Sequence, residues 1–201
     1  MSASPSPQQL LAAIQAGDEE AMAMLWRAWA GKVQLFARLQ LAPCGPEAEP
    51  LSQEVAVDVF HDLWRDPARF DGRVAFGTWL LTLARNKSID RLRQWGARHR
   101  REITGEGFDD AAEHHADDAP GPAEHLDAAQ RRSGLLGCLR RLRNGLQREA
   151  LMLWALEDLP LAEIARIQQC PENTVKTRLF HGRSHLRLCM ERWLGLQGGR
   201  A

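Results

Sequence analysis

Between Glu172 and Arg187 the chain reads ENTVKTRLFHGRSHLR, and wound at about 100° per residue its side chains sort into two sets. Val175, Leu179, Gly182 and Leu186 line one stripe, while Lys176, Thr177, Phe180, Arg183, Ser184 and Arg187 face away from it. A phenyl ring on the polar side of a helix, amid cations and hydroxyls, suits a partner that is flat, apolar on its faces and negatively charged at its edges. A lone exposed aromatic is ordinary on protein surfaces, so the ring takes its meaning from its neighbours and from the elements that hold them.

A second group with chemical potential is EHHADD, where His114, His115, Asp117 and Asp118, with His125 downstream, have the donor types of a divalent-cation site. It lies within ITGEGFDDAAEHHADDAPGP, residues 103–122, which is acidic, punctuated by Gly and Pro and nearly without large apolar side chains. That composition reads as a flexible linker with no scaffold to hold a ligand geometry. No metal, cofactor or catalytic constellation is therefore expected, and the chain does not read as an enzyme. Cys44, Cys138, Cys170 and Cys189 stand far apart without a CxxC pair, so they are expected to be reduced thiols, buried or idle.

The elements around these residues read as helices throughout. Asp18 can cap a helix whose first turn holds Glu19 and Glu20, with Met22, Leu25, Trp26, Trp29, Val33, Phe36 and Ala37 inward. After APCGPEAEP, Ser52 is expected to cap a helix through Arg65 with Val55, Val59, Phe60 and Leu63 inward, ended by Asp66-Pro67. A loop containing FDGRVAFG leads into a long helix from about Gly77 to Arg101, with Trp79, Leu80, Leu83, Ala84 and Leu92 buried. Beyond the linker come helices over Glu124–Arg143, Leu146–Leu156 and Leu161–Gln168, then the helix of the opening stretch. No segment sustains period-two alternation, so the fold class is all-α: two small helical domains, 1–102 and 123–201, joined by the acidic linker 103–122.

The formal net charge is zero, but its sign alternates along the chain. Residues 1–84 carry 6 Lys/Arg against 10 Asp/Glu, residues 85–101 carry 7 against 1, residues 103–130 none against 8, and residues 131–201 carry 13 against 6. Acidic, basic, acidic and basic blocks thus follow one another, a segregation that a solvated surface of mixed signs would not show. LPLAEIARIQQCPENTVKTRLFHGRSHLR has the pattern of a helix-turn-helix: Ala162, Ile164 and Ala165 on a short helix, a joint at Gln169-Cys170-Pro171, and Pro171 at the first position of the next helix. In such a unit the second helix enters the major groove, with its N-terminal half on base edges and its cations on phosphates. Phe180 then has a use, contact with a thymine methyl or a sugar. No apolar run is long enough to cross a bilayer, and MSASPSPQQL lacks the basic and apolar regions of a leader, so the expected location is the cytoplasm, without membrane insertion.

Four stretches in order resemble the sigma factors of bacterial RNA polymerase, in the compact extracytoplasmic-function (ECF) group of the sigma-70 family. LLAAIQAGDEEAMAMLWRAWAGKVQLFARL resembles the opening helices of the first domain and VAVDVFHDLWRDPARF the segment that docks on polymerase. FGTWLLTLARNKSIDRLRQ resembles the promoter-melting helix, and LAEIARIQQCPENTVKTRLFHGRSHLR the reader of the upstream element. The resemblance implies a factor that binds core RNA polymerase, directs it to promoter DNA and helps open it, and that is held in check by an anti-sigma partner.

By position, Glu54, Asp58, His61, Asp62 and Trp64 would dock on polymerase, with Val57 where the family commonly has Gln. Phe70, Asp71, Arg73 and Phe76 would belong to the pocket for a base flipped from the minus-ten element, with Asn86, Lys87, Arg91 and Arg93 as neighbouring DNA contacts and Arg85, Arg98, Arg100 and Arg101 tracking phosphates. Capture of an unstacked base would offset its unpairing and select sequence while the duplex opens. Asn173, Thr174, Lys176, Thr177, Phe180 and His181 would read the minus-thirty-five element, with Arg178 and Arg183 on its backbone. The alternative is a stand-alone helix-turn-helix regulator with a sensory or dimerisation module in front. It has no use for an acidic docking helix followed by FGTWLLTLARNKSIDRLR.

Overall fold

The computed structural model describes residues 5–103 and 123–198, and every regular element among them is helical. The expected linker, including His114, His115, Asp117 and Asp118, lies outside the described residues, as do the side chains of Arg100, Arg101 and His125. The chain divides into two compact units, the first holding the helices before residue 104 and the second most of the helical chain after 122.

In the first unit, α1 (Pro7–Gln15) begins with a reciprocal cap. Ser6 Oγ accepts from the Gln9 amide while Gln9 Oε1 accepts from the Ser6 amide, and Pro7 occupies a first-turn position that needs no donor. Helix α2 (Glu19–Gln40) is capped by Asp18, whose carboxylate accepts from the Glu20 and Ala21 amides, with Glu19 and Glu20 at the positive helix end. Its Leu25, Val33, Phe36 and Ala37 are buried as the spacing requires. Trp26, read as a core residue, is instead 40 % exposed and lies over Phe60 with ring centroids 4.8 Å apart.

A 3-10 segment, Ala42–Glu47, leads into α3 (Ala48–Arg65), so Ser52 is not the cap expected of it. It lies one turn inside the helix, fully buried, with its hydroxyl donating to the Glu49 carbonyl. Helix α3 buries Val55, Val59, Phe60 and Leu63 and ends at Asp66, where a short 3-10 turn, Pro67–Arg69, begins the loop to α4 (Phe76–Ile103). Helices α2, α3 and α4 pack against one another, and α1 packs on α2.

In the second unit, α5 (Ala123–Arg140), α6 (Gly145–Glu157), α7 (Leu161–Gln168) and α8 (Glu172–Gly198) follow in order. Asn144 caps α6, accepting from the amides of Leu146 and Gln147. Helix α5 lies on the later part of α8 so closely that a Cβ at Gly134 would stand 2.7 Å from the Trp193 indole. The same contact joins Cys138 to Cys189 in a disulfide, with Cα atoms 5.7 Å apart, which overturns the expectation of reduced thiols at both positions. A pairing across 51 residues is made by the register of two helices, which no local cysteine spacing announces. Cys44 and Cys170 are free, and burial pushes the Cys44 thiol up to about 11.

Candidate nucleic-acid interface and docking surface

Helix α7 ends at Gln169, a non-glycine residue in the left-handed region with φ of 50°, and the Cys170 amide returns to the Ala165 carbonyl. The chain therefore turns within Gln169, Cys170 and Pro171, and α8 starts with the Thr174 and Val175 amides donating to the Pro171 carbonyl. Helix α8 turns Val175 and Leu179 inward, and Gly182 admits Leu151 of α6 to within 2.9 Å of where a Cβ would stand. This is the helix-turn-helix read from the spacing. On its outer face Asn173, Lys176, Thr177, His181 and Arg183 are exposed, Thr174 is half-buried, and Phe180 is 68 % exposed. The Phe180 ring meets His181 edge-on at 5.4 Å, and Thr177 Oγ1 donates back to the Asn173 carbonyl. Arg183 is laid over the Trp154 ring, 4.1 Å from its centroid, which fixes the direction of its guanidinium.

Arg178 differs from the rest of that helix. Its Nη1 donates to Gln168 Oε1 at 2.8 Å and to Cys170 Sγ at 3.2 Å, so the side chain turns into the joint and not toward the open face with Lys176 and Phe180. Gln168 in turn is buried, and its Nε2 donates to the Leu146 carbonyl at 2.9 Å and to Glu149 Oε1 at 3.1 Å. Beside it the Arg148 guanidinium is buried with Nη1 donating to the Leu142 carbonyl, and burial lowers its pKa from the ordinary arginine value. None of Arg148, Glu149 and Gln168 was singled out from sequence, although Gln168 falls one turn after Ile164 on the inward stripe of α7.

In the first unit the residues expected to dock on polymerase divide between two faces of α3. Glu54, Asp58 and Asp62 point along α4: Arg91 bridges Glu54 at 3.1 Å and Asp58 at 2.7 Å, and Lys87 pairs with Asp62 at 2.8 Å. The Lys87 hydrogen bond holds the Asp62 carboxyl below its ordinary range. Val57, His61 and Trp64 stand on the open face, with Val57 56 % and Trp64 39 % exposed. Residues proposed for polymerase and residues proposed for DNA are thus ion-paired to each other across α3 and α4.

The loop before α4 is divided as well. Phe70 and Phe76 are buried, 9 % and 5 % exposed, in an aromatic cluster with Trp79, and Phe76 also meets Trp29. These two rings anchor the loop from below. Asp71, Gly72 and Arg73 form the exposed crest: Asp71 accepts from the Arg73 amide and pairs with its guanidinium at 3.2 Å, and Gly72 has φ of 73°. Asn86 is exposed on α4, and Arg93 pairs with Asp90 at 3.1 Å within the helix.

Two helical units, the second presenting a cationic and aromatic helix-turn-helix face, have the make-up of a helical DNA-binding protein. The family descriptions "Sigma-70 region 2" and "Sigma-70, region 4" match residues 25–98 and 135–186. The ECF RNA polymerase sigma factor SigK of Mycolicibacterium vanbaalenii is 34% identical over 142 residues, 69% of this chain and 68% of that one. The RNA polymerase sigma-H factor of Pseudomonas aeruginosa is 30% identical over 183 residues, covering 88% of this chain and 89% of the relative. The fold is shared with the sigma factor RpoE of Bartonella quintana, solved with the anti-sigma factor NepR, at a TM-score of 0.59 and 19% identity over 84% of this chain and 96% of that one. CnrH, solved with the cytosolic domain of CnrY, gives a TM-score of 0.55 at 22% identity over 91% of this chain and 96% of its own. The chain belongs to the ECF group of the sigma-70 family. It is a sigma factor, a regulatory subunit that directs RNA polymerase to promoters. Among the described residues no helix is long and apolar enough to cross a membrane.

Proposed function

We propose that the two units read two promoter elements by different physics, with residues 1–102 docking on core RNA polymerase and opening the minus-ten element, and residues 123–201 reading the minus-thirty-five element. The observation that carries this reading is the outer face of α8, where Lys176, Thr177, Phe180 and His181 are exposed together on a helix-turn-helix. In the major groove Lys176 donates to base acceptors or phosphates, Thr177 and Asn173 supply short polar contacts, and Phe180 covers a thymine methyl or a sugar. Thr174 closes the first turn and His181 extends the contact by one turn.

In the first unit the exposed crest, Asp71 and Arg73, together with Asn86, forms the lip against which an unpaired base is held. Lys87, Arg91 and Arg93 then follow the strand backbone. Val57, His61 and Trp64 offer polymerase an apolar and aromatic face flanked by the carboxylates of Glu54, Asp58 and Asp62. Residues 103–122, acidic and without a cation, are proposed as a tether whose charge suits a basic channel. The sigma factor RpoE is solved with the anti-sigma factor NepR, and CnrH with the cytosolic domain of CnrY, which supports a regulatory protein partner here and a cytoplasmic place of action.

A protein that works only with polymerase has little need of tight DNA binding on its own, so the isolated chain is expected to bind promoter duplex weakly, with a steep fall as salt rises. Reconstitution with core RNA polymerase on fragmented genomic DNA, with transcript starts mapped by sequencing, tests the reading. Starts that depend on the protein and share two spaced upstream motifs are the expected result. Absence of such starts, with polymerase active under another sigma factor and this protein folded, would favour the stand-alone regulator, as would nanomolar specific binding without polymerase.

A further inference from the structure

Arg178 lies in the reading helix, yet one end of its half-buried guanidinium is bonded inside the protein. Nη1 meets Gln168 Oε1 at the end of α7 and Cys170 Sγ in the turn. Gln168 Nε2 passes the connection to Leu146 O and Glu149 Oε1 on α6. The polarity is consistent along the whole path: guanidinium donor, amide oxygen acceptor, amide nitrogen donor, then carbonyl and carboxylate acceptors. One chain of hydrogen bonds therefore ties the reading helix to both helices that support it, at a joint whose only sharp backbone feature is Gln169 in the left-handed region. Because Gln168 and Glu149 are buried, at 7% and 3% exposure, these bonds are little screened, and a partner lost from the chain leaves a polar group without water.

We infer that Arg178 is a positioning residue, which sets through Gln168 the angle at which α8 offers Lys176, Thr177, Phe180 and His181 to the bases, and that it is not a phosphate ligand. The inference rests on the reading of α8 proposed above. It assigns Arg178 a different task from Lys176 and His181, whose side chains point to solvent. A rotation of the helix displaces all its base-reading atoms together, so loss of the anchor spreads over adjacent positions of the element. Loss of one direct contact affects one position, and loss of a phosphate contact weakens all sequences alike.

The test uses the full chain in holoenzyme with core RNA polymerase, on promoter duplexes whose minus-thirty-five element is randomised, with bound sequences counted and affinity measured over a range of salt. The variants are Arg178→Met, Gln168→Met, the double variant, and Lys176→Ala and Phe180→Ala as markers of the reading face, each checked for folding by circular dichroism. For Arg178→Met the expected result is a loss of discrimination of about 5-fold or more at two or more adjacent positions, with the slope of log affinity against log salt unchanged. Gln168→Met, which keeps the Arg178 charge, is expected to relax the same positions, and the double variant to be no worse than either.

A slope reduced by about 0.9 with a uniform loss over all sequences would make Arg178 a phosphate ligand and overturn the inference. Unaltered selectivity in folded Gln168→Met would overturn it too, and this arm stands even if Arg178→Met fails to fold. If Lys176→Ala and Phe180→Ala leave selectivity unaltered as well, the reading of α8 itself has failed; if only those two alter it, the positioning role alone has failed.

Discussion

Helices α4 and α8 both carry the cations of a DNA-binding protein, and they hold them in opposite ways. On α4, Lys87 and Arg91 are half-buried and already paired with Asp62, Asp58 and Glu54 of the neighbouring helix. On α8, Lys176, Phe180 and His181 are exposed, with no ion pair to another described residue. A phosphate that reaches Lys87 or Arg91 must replace a carboxylate, whereas one that reaches Lys176 replaces water. The first exchange is favoured when something else takes the carboxylates, which is what a basic polymerase surface docked along α3, as proposed above, would do. The difference teaches that charge content alone does not tell when a helix is ready for DNA; the neighbour's charge decides it.

The supports of the two helices differ in the same sense, and the largest expected effect tests them. Reduction of Cys138–Cys189, which ties α5 to α8 across 51 residues, is expected to cost the second unit about 2–4 kcal/mol. Thermal unfolding with and without dithiothreitol should show a lower midpoint for that unit alone, and an equal fall in the first unit would break the comparison. Next comes Phe180→Ala: about 1–3 kcal/mol of promoter discrimination should be lost in holoenzyme, while the folding stability stays within about 0.5 kcal/mol because the ring is exposed. A large loss of stability would mean that Phe180 is a packing residue.

Smaller effects are expected on the first unit. Arg91→Gln removes two partly exposed ion pairs and should lower its stability by about 1 kcal/mol or less in urea unfolding. The smallest effect is on acid stability. Lys87 holds the folded Asp62 carboxyl below its ordinary value, so this stabilisation is complete above the unfolded value, about 3.9, and disappears as pH falls through the lower folded value. Asp62→Asn should therefore flatten the stability of the first unit against pH below that point and leave the second unit's profile unaltered.

Much of this arrangement was legible in the chain because it is local. The Asp18 cap, the inward stripe Val55, Val59, Phe60 and Leu63, and the outward place of Phe180 follow from helical periodicity, and the structure has them so. Ser6-Pro7-x-Gln9 holds an equally local signal, for the start of α1. What was not legible depends on how helices meet. The Cys138–Cys189 bond requires the register of α5 on α8, the burial of Phe70 and Phe76 requires Trp29 and Trp79 against them, and the place of Trp26 over Phe60 requires α2 on α3. The inward turn of Arg178 is of the same kind: a cation on a reading helix looks like a phosphate ligand until the buried amide opposite it is known.

The most direct test of two units reading two elements is to map transcript starts genome-wide in reconstituted holoenzyme with three proteins: the unaltered chain, Lys176→Ala with Phe180→Ala, and Asn86→Ala with Arg73→Ala. The account predicts that the first pair of substitutions relaxes the upstream motif and leaves the downstream one intact, and that the second pair does the reverse. Relaxation of both motifs together by either pair, or of neither by both, would contradict it.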